Sequence, residues 1–130
     1  MNKKRIIFIC THNSARSIMA EAILKHLYGD KFEVFSAGTN PSSVKEYTKI
    51  VLNEINIDTS GLYSKQVNEF LGQKFDYVIT VCDNAKETCP FFPGGKNYIH
   101  KSFEDPISLE DFRRVRDKIY AWIKEFFDAL

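Results

Sequence analysis

A chain of 130 residues and 15.1 kDa has room for one core, and a single domain over residues 1–130 is expected. Its hydrophobic content of 44% and charged content of 27% are those of an ordinary globular chain. A formal net charge of +1 excludes the broad field that would draw nucleic acid or an anionic membrane, so any functional charge must be local.

The basic start, Met1 to Arg5, is followed by the short apolar run Ile6-Ile7-Phe8-Ile9. A signal peptide needs an apolar stretch of about 7–15 residues and a small-residue cleavage pattern. No run approaches the roughly 18 apolar residues of a membrane span. A cytoplasmic location without a membrane partner is expected. Three cysteines in such a chain argue against a structural disulfide framework, leaving Cys10, Cys82 and Cys89 as core fillers or as chemistry.

The run at residues 6–9 has the pattern of a strand buried on both faces. Residues 17–28 carry Ile18, Ala22, Ile23 and Leu27 at helical spacing, with Gly29 as a stop. A second strand is expected at residues 32–35, closed by Ser36-Ala37-Gly38. Ser42 or Ser43 caps the next predicted helix, which carries Tyr47, Ile50, Val51 and Leu52 and ends near Asn56. A short helix follows at residues 67–71. The β-branched and aromatic run at residues 75–81 predicts a third strand, and Tyr98-Ile99 a fourth after a Gly94-Gly95 turn. The last helix is the clearest, with Phe112, Val115, Ile119, Trp122, Ile123 and Phe126 in one stripe. Ser108 and Asp111 form its capping pair.

Strands alternating with helices predict an α/β fold: a three-layer sandwich with a four-stranded parallel sheet flanked by helices. Right-handed crossovers put every strand's C-terminal end on one edge, where such folds bind ligands at the reversal of strand order. The segments leaving that edge begin at Cys10, Ser36 and Cys82, so two of the three thiols emerge on one side.

Cys10-Thr11-His12-Asn13-Ser14-Ala15-Arg16-Ser17 lies between a buried strand and a helix start. Successive backbone N–H groups in such a loop, aided by the helix dipole, form an anion nest. The same field favours a thiolate at Cys10, and Arg16 offers a planar fork for two oxygens of a tetrahedral anion. His12 reads as a loop-stabilising hydrogen-bonder ahead of a base or metal ligand. Ser17 reads as a helix cap, as a hydroxyl donor to Cys10, or as both. Asn13 and Ser14 brace the loop.

This Cys-x5-Arg-Ser loop with Met19-Ala20-Glu21 resembles the low-molecular-weight tyrosine phosphatase superfamily, and within it the thioredoxin-coupled arsenate reductases. The similarity extends through Ser36-Ala37-Gly38, Asn40-Pro41, Ile57-Asp58, the Cys82/Cys89 segment, Asp105-Pro106 and the closing helix. Reductases and phosphatases often have Gly and Cys where this chain has His12 and Ala15. The resemblance implies the low-molecular-weight phosphatase-like fold and a nucleophilic Cys10. It also implies Asp105 as general acid, against the plain reading of an aspartate in a turn before proline.

A reductase needs two electrons from thiols. Residues seven apart on a helix lie about 10 Å apart, beyond the roughly 7 Å that a disulfide spans, so bridging Cys82 to Cys89 requires that segment to unwind. The resemblance implies a relay through Cys10–Cys82 and Cys82–Cys89 disulfides, recycled by thioredoxin or a similar dithiol. Arsenate is the implied substrate, with phosphate or sulfate as analogues. No cofactor, metal or nucleic acid is expected, and the chain is expected to be a monomer. Some reductases hold potassium through residues matching Asn13, Glu21 and Ser36, with an acidic partner. Lys65 falls at that partner's position here, and no bound cation is expected.

The first alternative is a phosphatase hydrolysing phosphomonoesters. It is weakened because phosphatases of this superfamily typically carry tyrosines after the Asp-Pro pair, where this chain has Ile107-Ser108-Leu109. The second is a non-catalytic thiol-metal or oxyanion-binding module using Cys10, Cys82, Cys89 and His12 or His100. It lacks close ligand pairing and would set Arg16 beside a cation.

Overall fold

The computed structural model describes residues 3–83 and 91–130; Cys89, and with it the expected Cys82–Cys89 bridge, lies outside the described residues. Four strands form one parallel sheet: β1 (Lys4–Cys10), β2 (Phe32–Gly38), β3 (Phe75–Thr80) and β4 (Gly95–His100), in the order β2-β1-β3-β4. Helix α1 (Arg16–Tyr28) joins β1 to β2, α2 (Glu46–Asn53) and a 3-10 turn (Val67–Phe70) lie between β2 and β3, and α3 (Leu109–Asp128) closes the chain.

The apolar run of β1 is central because neighbours cover both its faces. Ile6, Phe8 and Cys10 turn into the larger core, with side chains of α1, α2 and α3, while Ile7 and Ile9 turn to Phe70, Phe75, Val78 and Phe92. The outer layers are therefore unequal. All three α-helices pack together on one face, and on the other the described cover is the 3-10 turn and the segment around Phe92. Among the described residues no helix is long and apolar enough to cross a membrane.

Three local expectations change. Neither Ser42 nor Ser43 caps α2, whose N-cap is Lys45 without a side-chain bond. The chain ahead of it instead gives the backbone N–H groups of Asn40, Ser42 and Lys45 to the carbonyls of Thr11, His12 and Ser14, and this bracing outweighs an earlier cap. Ser36, Ala37 and Gly38 continue β2 rather than closing it, since Gly38 pairs with Cys10 in the parallel register. In α3 the Ser108/Asp111 capping box forms as expected, but Phe127 is fully buried while Phe126 is only half-buried and stacks on Trp122.

The topology fixes the ligand edge. From β1 the chain steps outward to β2, then returns past β1 to β3, so strand order reverses between β1 and β3. Cys10 ends β1 and Cys82 follows β3, so the two thiols flank the crevice at that reversal.

Candidate active site

The loop after β1 is shaped by what its carbonyls do. Thr11 O accepts from Asn40 N–H at 2.9 Å, and His12 O from Ser42 N–H at 3.2 Å and Ser64 Oγ at 3.0 Å. Asn13 O accepts from Ser64 Oγ at 2.7 Å, Ser14 O from Lys45 N–H at 3.1 Å and Thr48 Oγ at 2.9 Å, and Ala15 O from Met19 N–H at 2.8 Å. All these peptides are trans, so each carbonyl and the following N–H point opposite ways. With the carbonyls of residues 11–15 drawn outward, the N–H groups of residues 12–16 face the concave side. Helix α1 begins at the rim with Ala15 as N-cap and no capping side chain, leaving its first N–H groups directed at the same hollow.

Asn13 holds the loop's shape with φ of 49°, a left-handed conformation that asparagine adopts more readily than most residues. Its Oδ1 accepts from the Lys65 backbone N–H at 2.8 Å, which fixes the orientation of the amide. Its Nδ2 therefore donates to Ser17 Oγ at 2.8 Å and to Ser36 Oγ at 2.9 Å. The Ser36 hydroxyl in turn donates to Glu21 Oε1. Ser17 Oγ, already accepting from Asn13, has its own proton to give Cys10 Sγ at 3.0 Å. Ser17 thus acts within the first turn of α1, and Ala15 rather than Ser17 is the helix cap.

Arg16 is 4% exposed and spans the hollow to the segment leaving β4. It donates to Phe103 O at 3.2 Å and lies 3.7 Å from Asp105 Oδ1. Asp105 is solvent-facing, with Pro106 buried behind it. Cys82 is fully buried with its sulfur 3.8 Å from Ile9 O, one residue before Cys10. His12 is exposed and bonds Asn40 O through Nδ1 at 3.1 Å, the loop-stabilising role expected of it. His100 pairs with Thr80 Oγ at 2.7 Å on the far strands. Among the described residues no three His, Cys, Asp or Glu side chains gather as a metal site; Cys89, part of the thiol-metal reading, lies outside them.

Behind the loop, Glu21 is 4% exposed and Lys65 6%. Lys65 Nζ lies 3.4 Å from Glu21 Oε1 and donates to Tyr63 O at 2.7 Å, while Lys25 meets Glu21 Oε2 at 2.7 Å. Burial pulls the Lys65 ammonium below the usual lysine range, and Glu21 opposes that pull. The ammonium stands against the same Glu21 oxygen that Ser36 meets, so a potassium ion held by Asn13, Glu21 and Ser36 does not fit this chain.

Of the residues expected at the site, the fold brings Ser17 against Cys10 and Asp105 against Arg16. Sequence reasoning misses Phe103 O as the anchor of Arg16 and Ser64 as the clasp of the loop, because neither residue type nor spacing marks them.

Residues 5–130 match the family described as low molecular weight phosphotyrosine protein phosphatase. An arsenate reductase of Halalkalibacterium halodurans is 42% identical over 137 aligned positions, covering 99% of both chains. A solved arsenate reductase in the phosphate binding state superposes with a TM-score of 0.86 at 31% identity, over 97% of this chain and 98% of that one. A Corynebacterium glutamicum thioredoxin-dependent arsenate reductase superposes at 0.79 with 29% identity, over 98% of this chain and 61% of that one.

Proposed function

The chain belongs to the low-molecular-weight phosphotyrosine protein phosphatase family, and from that premise we propose that it reduces arsenate to arsenite as a cytoplasmic, monomeric, single-domain enzyme recycled by thioredoxin or a similar dithiol. One observation carries the reductase reading. A second buried thiol, Cys82, sits at the strand end beside Cys10, on the backbone carbonyl preceding the nucleophile. A phosphatase has no use for it; a reductase does.

The nest of N–H groups and the Arg16 fork bind arsenate, and phosphate or sulfate as analogues, with charge delocalised over donors already in place. The Cys10 thiolate attacks arsenic, forming an S–As bond as one oxygen leaves with a proton from Asp105. Cys82 then attacks the Cys10 sulfur. The S–S bond forms, the S–As bond breaks, and its electron pair stays on arsenic, which departs as arsenite. Cys89 attacks Cys82, releasing the Cys10 thiolate and leaving a Cys82–Cys89 disulfide. The external dithiol reduces that disulfide by exchange.

The test is arsenate-dependent NADPH consumption with thioredoxin and its reductase, run beside aryl-phosphate hydrolysis. Turnover abolished in each of Cys10→Ser, Cys82→Ser and Cys89→Ser supports the relay, as does loss of two thiols, mapped to Cys82 and Cys89, after one turnover. Full multiple turnover by Cys89→Ser refutes the relay. Rapid aryl-phosphate hydrolysis without arsenate reduction returns the chain to the phosphatases.

A further inference from the structure

Lys65 has no part in the steps above, yet it is the most deeply buried lysine among the described residues. An ammonium leaves water at high cost unless paired, and among the described residues Lys65–Glu21 is an ion pair with both side chains buried. Lys65 also grips the site twice. Its backbone N–H fixes the Asn13 amide at 2.8 Å, and its ammonium meets Glu21, whose same oxygen accepts from the Ser36 hydroxyl. The Tyr63 carbonyl at 2.7 Å and the Tyr63 ring, 4.5 Å from Nζ, hold the ammonium in place.

We infer that Lys65 is a positioning residue for the nucleophile: a tethered cation that neutralises Glu21 and thereby keeps the Asn13 and Ser17 donors set for a thiolate at Cys10. The proposal rests on Cys10 being the nucleophile, not on which anion it attacks. Without Lys65 the buried network holds two anions, the Glu21 carboxylate and the Cys10 thiolate. Its remaining cation beside Glu21 would be Lys25, whose side chain is 51% exposed. The carboxylate would then oppose the thiolate and pull Ser36, and through it Asn13, out of register. No exchangeable metal ion is needed, because the chain supplies the charge itself.

The test compares wild type with Lys65→Met, Lys65→Arg and Lys65→Met/Glu21→Gln. Alkylation of Cys10 by iodoacetamide is followed against pH by mass spectrometry, alongside kcat, KM for arsenate and melting temperature. In Lys65→Met the alkylation rate at pH 7 is expected to fall about tenfold and its pH profile to move up by about one unit. Turnover falls through kcat, with KM within about twofold of wild type. Removing both charges moves the profile back at least halfway, Lys65→Arg keeps it, and wild type works equally in potassium and choline chloride. A Lys65→Met profile coinciding with wild type overturns the proposal, however far the melting temperature drops. So does a double variant no better than the single one, a displaced Lys65→Arg profile, or potassium stimulation of wild type. Alkylation requires no arsenate, so failure to reduce arsenate refutes the proposed activity and leaves this test intact.

Discussion

Gly38 lies so close to Thr11 that a Cβ on it would stand 2.5 Å from the Thr11 carbonyl oxygen and 2.9 Å from the Asn13 backbone nitrogen. Both are backbone atoms of the oxyanion loop, so neither can swing aside. Glycine is needed here for approach rather than for unusual dihedrals. Gly38→Ala is expected to destabilise the fold by about 1–3 kcal/mol, as overpacking does. It should also weaken phosphate binding by about tenfold or more, because the displaced peptides are those that aim the N–H groups inward. Thermal melting and calorimetric titration with phosphate measure the two effects.

Ser17 Oγ lies 3.0 Å from the sulfur of Cys10, the proposed nucleophile. A hydrogen bond to a charged group contributes about 1.5–3 kcal/mol. Ser17→Ala should therefore lower Cys10 alkylation at pH 7 by about ten- to a hundredfold. Ser17→Thr keeps a hydroxyl and should retain most of the rate. Equal rates in the alanine variant and wild type would mean that the hydroxyl serves only the loop.

Arg16 joins the oxyanion loop to the segment bearing Asp105 through Phe103 O at 3.2 Å and the Asp105 carboxylate at 3.7 Å. Arg16→Lys keeps the charge but loses the planar fork. Losing one charge-assisted hydrogen bond to the oxyanion predicts a drop in kcat/KM for arsenate of about ten- to a hundredfold. Steady-state kinetics at matched folding, checked by circular dichroism, decide it.

Asp105→Asn removes the proposed proton donor while leaving Cys10 and the nest in place. Turnover of arsenate should fall by about a hundredfold or more, with alkylation of Cys10 little changed. Parallel losses in both assays would assign Asp105 to holding Arg16 instead.

The parts legible in the sequence were those encoded by local pattern. The apolar run at Ile6-Ile7-Phe8-Ile9 reads as a central strand because two-sided burial requires every residue to be apolar. The Ser108/Asp111 box reads as a cap because both partners lie within one turn. The start of α2 does not, because tertiary hydrogen bonds to the oxyanion loop override a nearby serine. In α3, adjacent Phe126 and Phe127 are alike in chemistry, and only the helix's rotation against β1 selects the one that is buried. Within the site, Cys10 and Arg16 are marked by spacing. The chain from Ser17 through Asn13 and Ser36 to Glu21 joins residues 15 and 23 positions apart, and only the sheet register brings these together.

Acid stability offers a test outside the site. The backbone N–H of Ser108, the Arg114 guanidinium and the backbone N–H of Ile107 together hold Asp111 down to about 2, against an ordinary value of 3.8. A carboxylate depressed in the folded state stabilises the fold at every pH above its unfolded value. That stabilisation is lost as pH falls through the folded value. Asp111→Asn keeps an acceptor for the cap but carries no charge. Its melting temperature should lie below that of wild type by a constant margin above about pH 5, and the gap should narrow below about pH 4 and close near pH 2. Ser108 is exposed and Asp111 partly so, and raised salt should shrink the gap at neutral pH as well. A gap that persists unchanged at pH 2 would mean that the aspartate acts through its shape and hydrogen bonds rather than its charge.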